Sequence, residues 1–282
     1  MSDWETWRGE NWTLINSKWQ HCPPDEVDVV ISDPPYNDRT SLGARSAKNK
    51  NVVSDISDSS SGISRHTITS FMGIKPKEVG PALIERSKGW VVLFCALEQL
   101  GEYEIAVGVK RYIRSGFWRK TNPTPQFTGD RPAQWGEGIA YMGAHDRDLY
   151  GEAMAIMHRP GRKVWNAGGH PCYLEGPTTR SESGTDVRFH ETQKPLWIML
   201  ELIERFTQPG DLVWDPYAGS CTTGVACIRL GRRFLGHEMQ RQYAEQSAER
   251  LTAEENGINL KAARAGQMGL FSANDLSSEN DD

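Results

Sequence analysis

"LVWDPYAGSCTTG", residues 212 to 224, decides the fold. An apolar run ends at Asp215, a proline breaks it, and Gly219 and Gly224 bracket a turn into the helical stretch "TTGVACIRLG". A strand passing through a glycine turn into a helix is the building unit of an open α/β sheet. The spacing is that of the G-x-G-x-x-G nucleotide fingerprint, with Cys221 in the middle glycine's place. The next strand, "RRFLG", leads to Glu238, nineteen residues beyond Gly219. At that distance an acid reaches the two hydroxyls of a cofactor ribose. The middle glycine serves close approach to a pyrophosphate, so Cys221 counts against NAD and suits a nucleoside cofactor without one.

A second motif, "ISDPPYND" at 31 to 38, ends another apolar, β-branched run, Val27 to Ile31. Neither Pro34 nor Pro35 can donate to a ladder, so the strand stops at Asp33. In an open α/β sheet, ligands sit beyond the carboxyl ends of the strands. Asp33 and Tyr36 are therefore expected in a crevice; the plainer alternative is a strand-ending turn, where Asp and Pro are common.

Between the motifs the pattern alternates. Thr13 to Asn16, Val27 to Ser32, "WVVLFC", "FWRK", "GIAYMG", "MAIMH", "LVWD" and "RRFLG" read as strands. Lys75 to Arg86, residues 98 to 115 and Arg241 to Ala253 read as helices. So does the stretch from Leu196 to Phe206, with Leu196, Met199, Leu200, Ile203 and Phe206 on one face. Residues 37 to 70 are rich in Ser, Asn, Asp and Gly, which predicts a mobile loop.

The 282 residues carry 24% charged and 38% hydrophobic side chains, ordinary for a soluble globular chain. Apolar runs are too short to span a membrane, and "MSDWETWRGENW" is no export leader, so a cytoplasmic protein is expected. The five cysteines form no CxxC pair and no metal-ligand spacing, which predicts reduced thiols and no metal site. The net charge of −5 is uneven: Ile105 to Lys163 balances at +5 and Arg241 to Asp282 at −4. A basic face of that kind is compatible with nucleic-acid phosphates.

Three motifs in one order, "DPPY" at 33 to 36, "TQKP" at 192 to 195 and "DPYAGSCTT" at 215 to 223, resemble the amino-methyltransferases of DNA. Target motif first and cofactor motif last is similar to the circularly permuted β class. The resemblance covers about residues 12 to 252 and takes in "FWRKTNPTP" and "WGEGIAYM". It implies an α/β, Rossmann-like, mostly parallel seven-stranded sheet flanked by helices, with a small irregular target-recognition insertion. It also implies S-adenosylmethionine as methyl donor and double-stranded DNA as partner, in a bacterial or phage-encoded monomer or homodimer. The chain departs from the family's usual residues at Cys221 (usually Gly), Tyr217 (usually Phe) and Asn16 (often Asp).

The resemblance assigns catalysis to Asp33, Pro34, Pro35 and Tyr36. Asp33 and the Pro34 carbonyl would accept the two hydrogens of an exocyclic amine, and Tyr36 would stack on the flipped base. Cofactor contacts fall to Asp33, Thr192, Gln193, Lys194, Asp215, Tyr217, Ala218, Gly219, Ser220, Thr222, Thr223 and Glu238. Lys194 is placed near the cofactor's carboxylate. "TQKP" equally reads as a helix start, Asp215 as a cap and Glu238 as a solvated helix-start acid. An aspartate in "DPPY" favours adenine N6, since cytosine-N4 enzymes more often carry Ser there; cytosine N4 is the alternative. From a different class, the alternative is a non-catalytic DNA or cofactor binder. "HPCYLEG" lacks the Pro-Cys-Gln setting of cytosine-C5 enzymes, so Cys172 is read as structural.

The catalytic domain is expected over 1–252, with target readout at about 144–189 and a flexible acidic tail over 253–282. Candidate phosphate contacts are Arg111, Arg114, Arg119, Lys120, Arg131, Arg159, Arg162 and Lys163, each more ordinarily a surface charge. Trp118, Phe127, Trp135 and Trp165 are expected in the scaffold. In the tail, "QMGLF", Gln267 to Phe271, resembles the Q-x-x-L-F peptide that docks on the replication sliding clamp. Packing of Leu270 and Phe271 on the protein's own core is the alternative.

Overall fold

The computed structural model describes residues 4–36, 73–121, 151–160, 164–178, 189–190, 193–258 and 260–266. Their strands are β1 (Thr6–Arg8), β2 (Trp12–Ile15), β3 (Val29–Ser32), β4 (Trp90–Cys95), β5 (Tyr112–Lys120), β6 (Gly151–His158), β7 (Tyr173–Gly176), β8 (Leu212–Asp215) and β9 (Arg233–His237). The helices are α1 (Pro76–Arg86), α2 (Leu97–Val107), α3 (Leu196–Phe206), α4 (Thr222–Arg229), α5 (Arg241–Glu255) and α6 (Leu260–Arg264). A single sheet runs in the order β1-β2-β9-β8-β3-β4-β6-β5-β7. From β2 through β9, β8 and β3 to β4 every pairing is parallel. The β1/β2, β4/β6 and β6/β5 pairs are antiparallel.

The fold is the mixed, helix-flanked α/β sheet that the sequence implies, with nine strands among the described residues where seven were expected. Two short edge strands account for the difference. Three-residue β1 covers the outer edge of β2, and β7 adds a parallel edge beside β5. Runs this short carry too little alternation to stand out in sequence.

Alternation along the central strands sorts their side chains onto two faces. Val29, Ile31, Trp90, Val92, Phe94 and Val213 join the core under α3, α4 and α5. Val30, Val91, Leu93, Cys95 and Trp214 join the core under α1 and α2. Both faces are covered, so these strands read as continuous apolar runs. On α3 the buried stripe is Ile198, Met199, Leu202, Ile203 and Phe206, whereas Leu196 and Leu200 are half-buried.

Other expectations shift. The helix read over 98–115 ends at Val107, because Gly108 takes a positive φ of 78° and closes it. Tyr112 and Ile113 then open β5, and Ile105 and Val109 are exposed. The tail read from 253 is ordered further: α5 runs through Glu255, and α6 buries Leu260 while Arg264 pairs with Glu249 at 2.9 Å. Residues 37–70, "GIAYMG" and Gln267–Phe271 lie outside the described residues. No helix of the described residues is long and apolar enough to cross a membrane.

The order of connections positions the site. From β3 the chain passes through α1 to β4 on one side, and from β8 through α4 to β9 on the other. The carboxyl ends of β3 and β8, paired in parallel, therefore face a crevice at a topological switch point. Gly224 keeps α4 tight against this centre: a Cβ there would lie 2.7 Å from Leu251 and 2.8 Å from Phe234. Gly224→Val should lower stability by about 1–3 kcal/mol through overpacking; a denaturant midpoint equal to that of the parent protein would refute this close packing.

Candidate active site

The central group is Asp215, buried at the end of β8. Its Oδ1 accepts from the Ser32 hydroxyl at 2.5 Å and the Tyr217 amide at 3.1 Å; its Oδ2 accepts from the Thr223 hydroxyl at 2.7 Å. One carboxylate thus ties β3, the 216–221 turn and the first turn of α4. Burial pushes its pKa up to about 6 against the pull of those three donors, and the charge of nearby Asp33 adds to the rise. Ser32 was not singled out from the sequence; it is the last residue of β3 and half of this link.

Glu238, the residue after β9, is held in a similar way. Its Oε2 accepts from the Gly219 amide at 3.0 Å and its Oε1 from the Gln240 amide at 2.7 Å. Burial raises its pKa to about 7, opposed by those amides. Asn16, where the family often has an acid, donates from Nδ2 to the Glu238 carbonyl at 2.8 Å. That bond gives the departure a structural role: it holds the backbone of the acid.

Asp33 sits half-buried just past β3. Lys194 Nζ donates to its Oδ2 at 2.5 Å and the Tyr36 hydroxyl to its Oδ1 at 3.2 Å. The ammonium is nearly buried and lies 5.1 Å from the Phe94 ring centre and 5.7 Å from that of Tyr36. The sequence reading gave Lys194 to a cofactor carboxylate; its partner here is Asp33, and the short helix-start motif brings the two together across 161 residues of chain.

These elements line a cleft that is open to solvent. Of the sequence-derived candidates, Asp33, Gln193, Lys194, Asp215, Tyr217, Ala218, Gly219, Ser220, Thr222 and Thr223 line it. Pro34, Pro35, Tyr36 and Glu238 are not in its wall; Tyr36 and Glu238 adjoin it through their bonds to Asp33 and Gly219. The Tyr217 side chain also packs on the core under α1 and α2. Thr192 lies outside the described residues. Two lining residues were missed. His190 has its ring within 3.6 Å of where a Gly219 side chain would start, and it stacks edge-on with Tyr243 at 4.5 Å. Met199, read as a core position, is both core and wall and receives the Thr223 hydroxyl at 3.8 Å. A position on an apolar helix stripe gives no sign that its end reaches a cleft.

Cys221 has a left-handed backbone, φ 54°, the one non-glycine residue with positive φ among those described. Such a conformation costs a β-carbon-bearing residue roughly 1–2 kcal/mol. The thiol is fully buried in the core under α3 and α4 and does not line the cleft. The side chain that replaces the usual glycine therefore leaves the cleft clear.

Outside the cleft, several further sequence candidates take defined places. The target-recognition segment placed at about 144–189 contains β6, whose Met154, Ala155, Ile156 and Met157 are buried framework between β4 and β5. This is the strand that "MAIMH" marks in the sequence, begun three residues earlier at Gly151. Arg119 is paired with Glu175 at 2.7 Å and Arg159 with Glu26 at 3.2 Å, both at the surface. Trp118 is buried and Trp165 packs on Phe206, as scaffold residues. Burial raises the Cys172 thiol to about 11, so it is protonated at neutral pH and is no ready nucleophile. Arg131, Arg162, Lys163, Phe127 and Trp135 lie outside the described residues.

A family profile of DNA methylases specific for N6 and N4 amines matches residues 27–249. The chain belongs to this DNA methylase family. It is 28% identical over 245 residues to the type II methyltransferase M2.DpnII of Streptococcus pneumoniae, covering 82% of this chain and 84% of the relative. It is 26% identical to the type II methyltransferase M.HinfI of Haemophilus influenzae, spanning 83% of this chain but 65% of that longer protein. Among solved structures, the M1.HpyAVI–SAM complex shares the fold with a TM-score of 0.55 at 21% identity, over 85% of this chain and all of the other. The PvuII cytosine-N4-specific DNA methyltransferase gives 0.56 at 13% identity, over 92% and 97%. This DNA methylase brings Asp33 of "DPPY" and Asp215, Tyr217, Ala218, Gly219 and Ser220 of "DPYAGSC" to one cleft.

The two raised carboxyls predict a pH dependence. Their ordinary values are 3.8 and 4.5, and the folded values are about 6 and 7. The folded protein therefore holds more protons than the unfolded chain across this window. Their stabilising effect is fully present below about pH 4 and is lost as pH rises, between about 4 and 6 for Asp215 and between about 4.5 and 7 for Glu238. Denaturation series at pH 5, 6 and 7 should show the fall, shallower in Glu238→Gln; a flat profile would contradict the burial of both charges.

Proposed function

We propose that this DNA methyltransferase carries a methyl group from S-adenosylmethionine to the N6 amine of adenine in a flipped-out nucleotide. The observation that carries the proposal is the placement of Asp33 and the Gly219 turn in one wall, on adjacent parallel strand ends.

The residues present suit that cofactor. Three carboxyls, Asp33, Asp215 and Glu238, stand at or beside the cleft with one lysine, a setting that favours a cationic sulfonium and ammonium over a pyrophosphate. Glu238, beside the Gly219 amide, is the ribose ligand, and Ser220 and Thr222 offer hydroxyls. Gln193 and Lys194 border the methionine half, with Asp215 and Thr223 holding the loop in shape. When bound, S-adenosylmethionine supplies an electrophilic methyl carbon whose bond to sulfur breaks as the carbon–nitrogen bond forms.

An exocyclic amine is a weak nucleophile because its lone pair is delocalised into the ring. Asp33 accepts one N–H and the Pro34 carbonyl the other, which localises that lone pair and stabilises the positive charge that develops. Lys194 and Tyr36 fix the carboxylate, each holding one of its oxygens and leaving a lone pair of Oδ1 for the amine. Tyr36 also provides a face on which the base stacks. The surplus proton passes to Asp33 or water, with no covalent enzyme intermediate. Adenine is favoured over cytosine because the motif begins with Asp in place of the Ser common in N4 enzymes.

Transfer of labelled methyl groups to DNA, followed by nucleoside analysis, should yield N6-methyladenine, and N4-methylcytosine in its place would overturn the choice of base. Asp33→Ala should lower kcat by about a hundredfold to a thousandfold. Undiminished transfer by that variant would remove the mechanism. A parent protein that binds the cofactor yet never methylates would favour a non-catalytic binder.

A further inference from the structure

We infer that Ser247 and Arg250, one turn apart on α5, are positioning residues that clasp the 218–223 loop from behind; the ligand they serve rests on reading that loop as the cofactor cradle. The loop has an unusual backbone. Gly219 and Cys221 both have positive φ, 50° and 54°, on either side of Ser220. Two left-handed residues in so short a turn aim its carbonyls in directions that neither the helix nor the sheet satisfies.

Helix α5 supplies the partners. The Ser247 hydroxyl donates to the Gly219 carbonyl at 2.7 Å. Arg250 donates from one guanidinium nitrogen to the Ser220 carbonyl at 2.8 Å and to the Thr222 hydroxyl at 3.1 Å. The Thr222 hydroxyl in turn lies 3.1 Å from that of Ser220, so the set is continuous across the turn. Both side chains are buried, Ser247 at 0% exposure and Arg250 at 3%, and neither lines the cleft. An i, i+3 pair shares one helix face, so α5 presents both donors to the loop at once.

Gly219 is consequently held at both ends of its peptide geometry: its amide by Glu238 and its carbonyl by Ser247. A guanidinium is expensive to bury and is retained where its donors are used. Here they hold a turn whose Cys221 would otherwise relax toward ordinary backbone angles. Relaxation would move Gly219, Ser220 and Thr222, which form the wall of the cleft.

The test is Ser247→Ala, which deletes one oxygen. Three readouts apply: hydrogen exchange of a peptide spanning 216–226, calorimetric titration with S-adenosylhomocysteine, and steady-state kinetics. Losing one such bond should speed loop exchange and raise the Kd about fivefold or more. KM for the methyl donor should rise in step, while kcat, KM for DNA and exchange in β3 and β8 stay near parent values. Arg250→Lys, which keeps a cation and a donor, should bind better than Arg250→Met. If Arg250→Met does not fold, Ser247→Ala still decides. Unchanged loop exchange and unchanged Kd in Ser247→Ala overturn the clasp. A parent protein that fails to bind S-adenosylhomocysteine, with a loop that still loosens in Ser247→Ala, upholds the clasp and overturns the cofactor reading.

Discussion

A carboxylate buried between two parallel strands holds the site together. Asp215 takes one hydroxyl from the strand that ends in "DPPY", one from the first turn of α4, and an amide from its own turn. Ser32 and Asp215 are 183 residues apart in the chain, yet their side chains meet at 2.5 Å. Removing one partner of such a pair strands a buried polar group, which costs more than the bond itself contributes. The link also explains why the acid is placed where burial raises its pKa: the donors it satisfies have no other route to each other.

Around that link the cleft is built from strand ends and helix starts, with loops contributing short turns. Glu238 braces the loop through the Gly219 amide, Asn16 braces Glu238, and Lys194 braces Asp33. Glu238 and Asp33 are each thus held by a second side chain from a distant part of the chain. Such support is what pre-organised electrostatics requires, since a dipole that must reorient during reaction contributes less.

The central sheet was legible because fully buried strands write themselves as apolar runs: "WVVLFC" and "LVWD" match β4 and β8 residue for residue. The two motifs were legible because Pro34, Pro216 and Gly219 force turns at strand ends. What escaped was written in ordinary residues. β7 lay in a stretch whose Pro and Gly content reads as loop, and the helix end at Gly108 competed with an apolar rhythm that ran on through Tyr112 and Ile113. In the site, His190, Ser32, Ser247 and Arg250 have no spacing rule; only the fold brings them to the turn. The pairing of Lys194 with Asp33 was hidden for the same reason.

The junction of β3 with β8 is made by backbone ladder bonds and side chains, and no peptide bond crosses it. A gene rearrangement that exchanged which half is translated first would leave those contacts as they are. Motif order along a polypeptide of this kind is therefore separable from the geometry that the paired strand ends create.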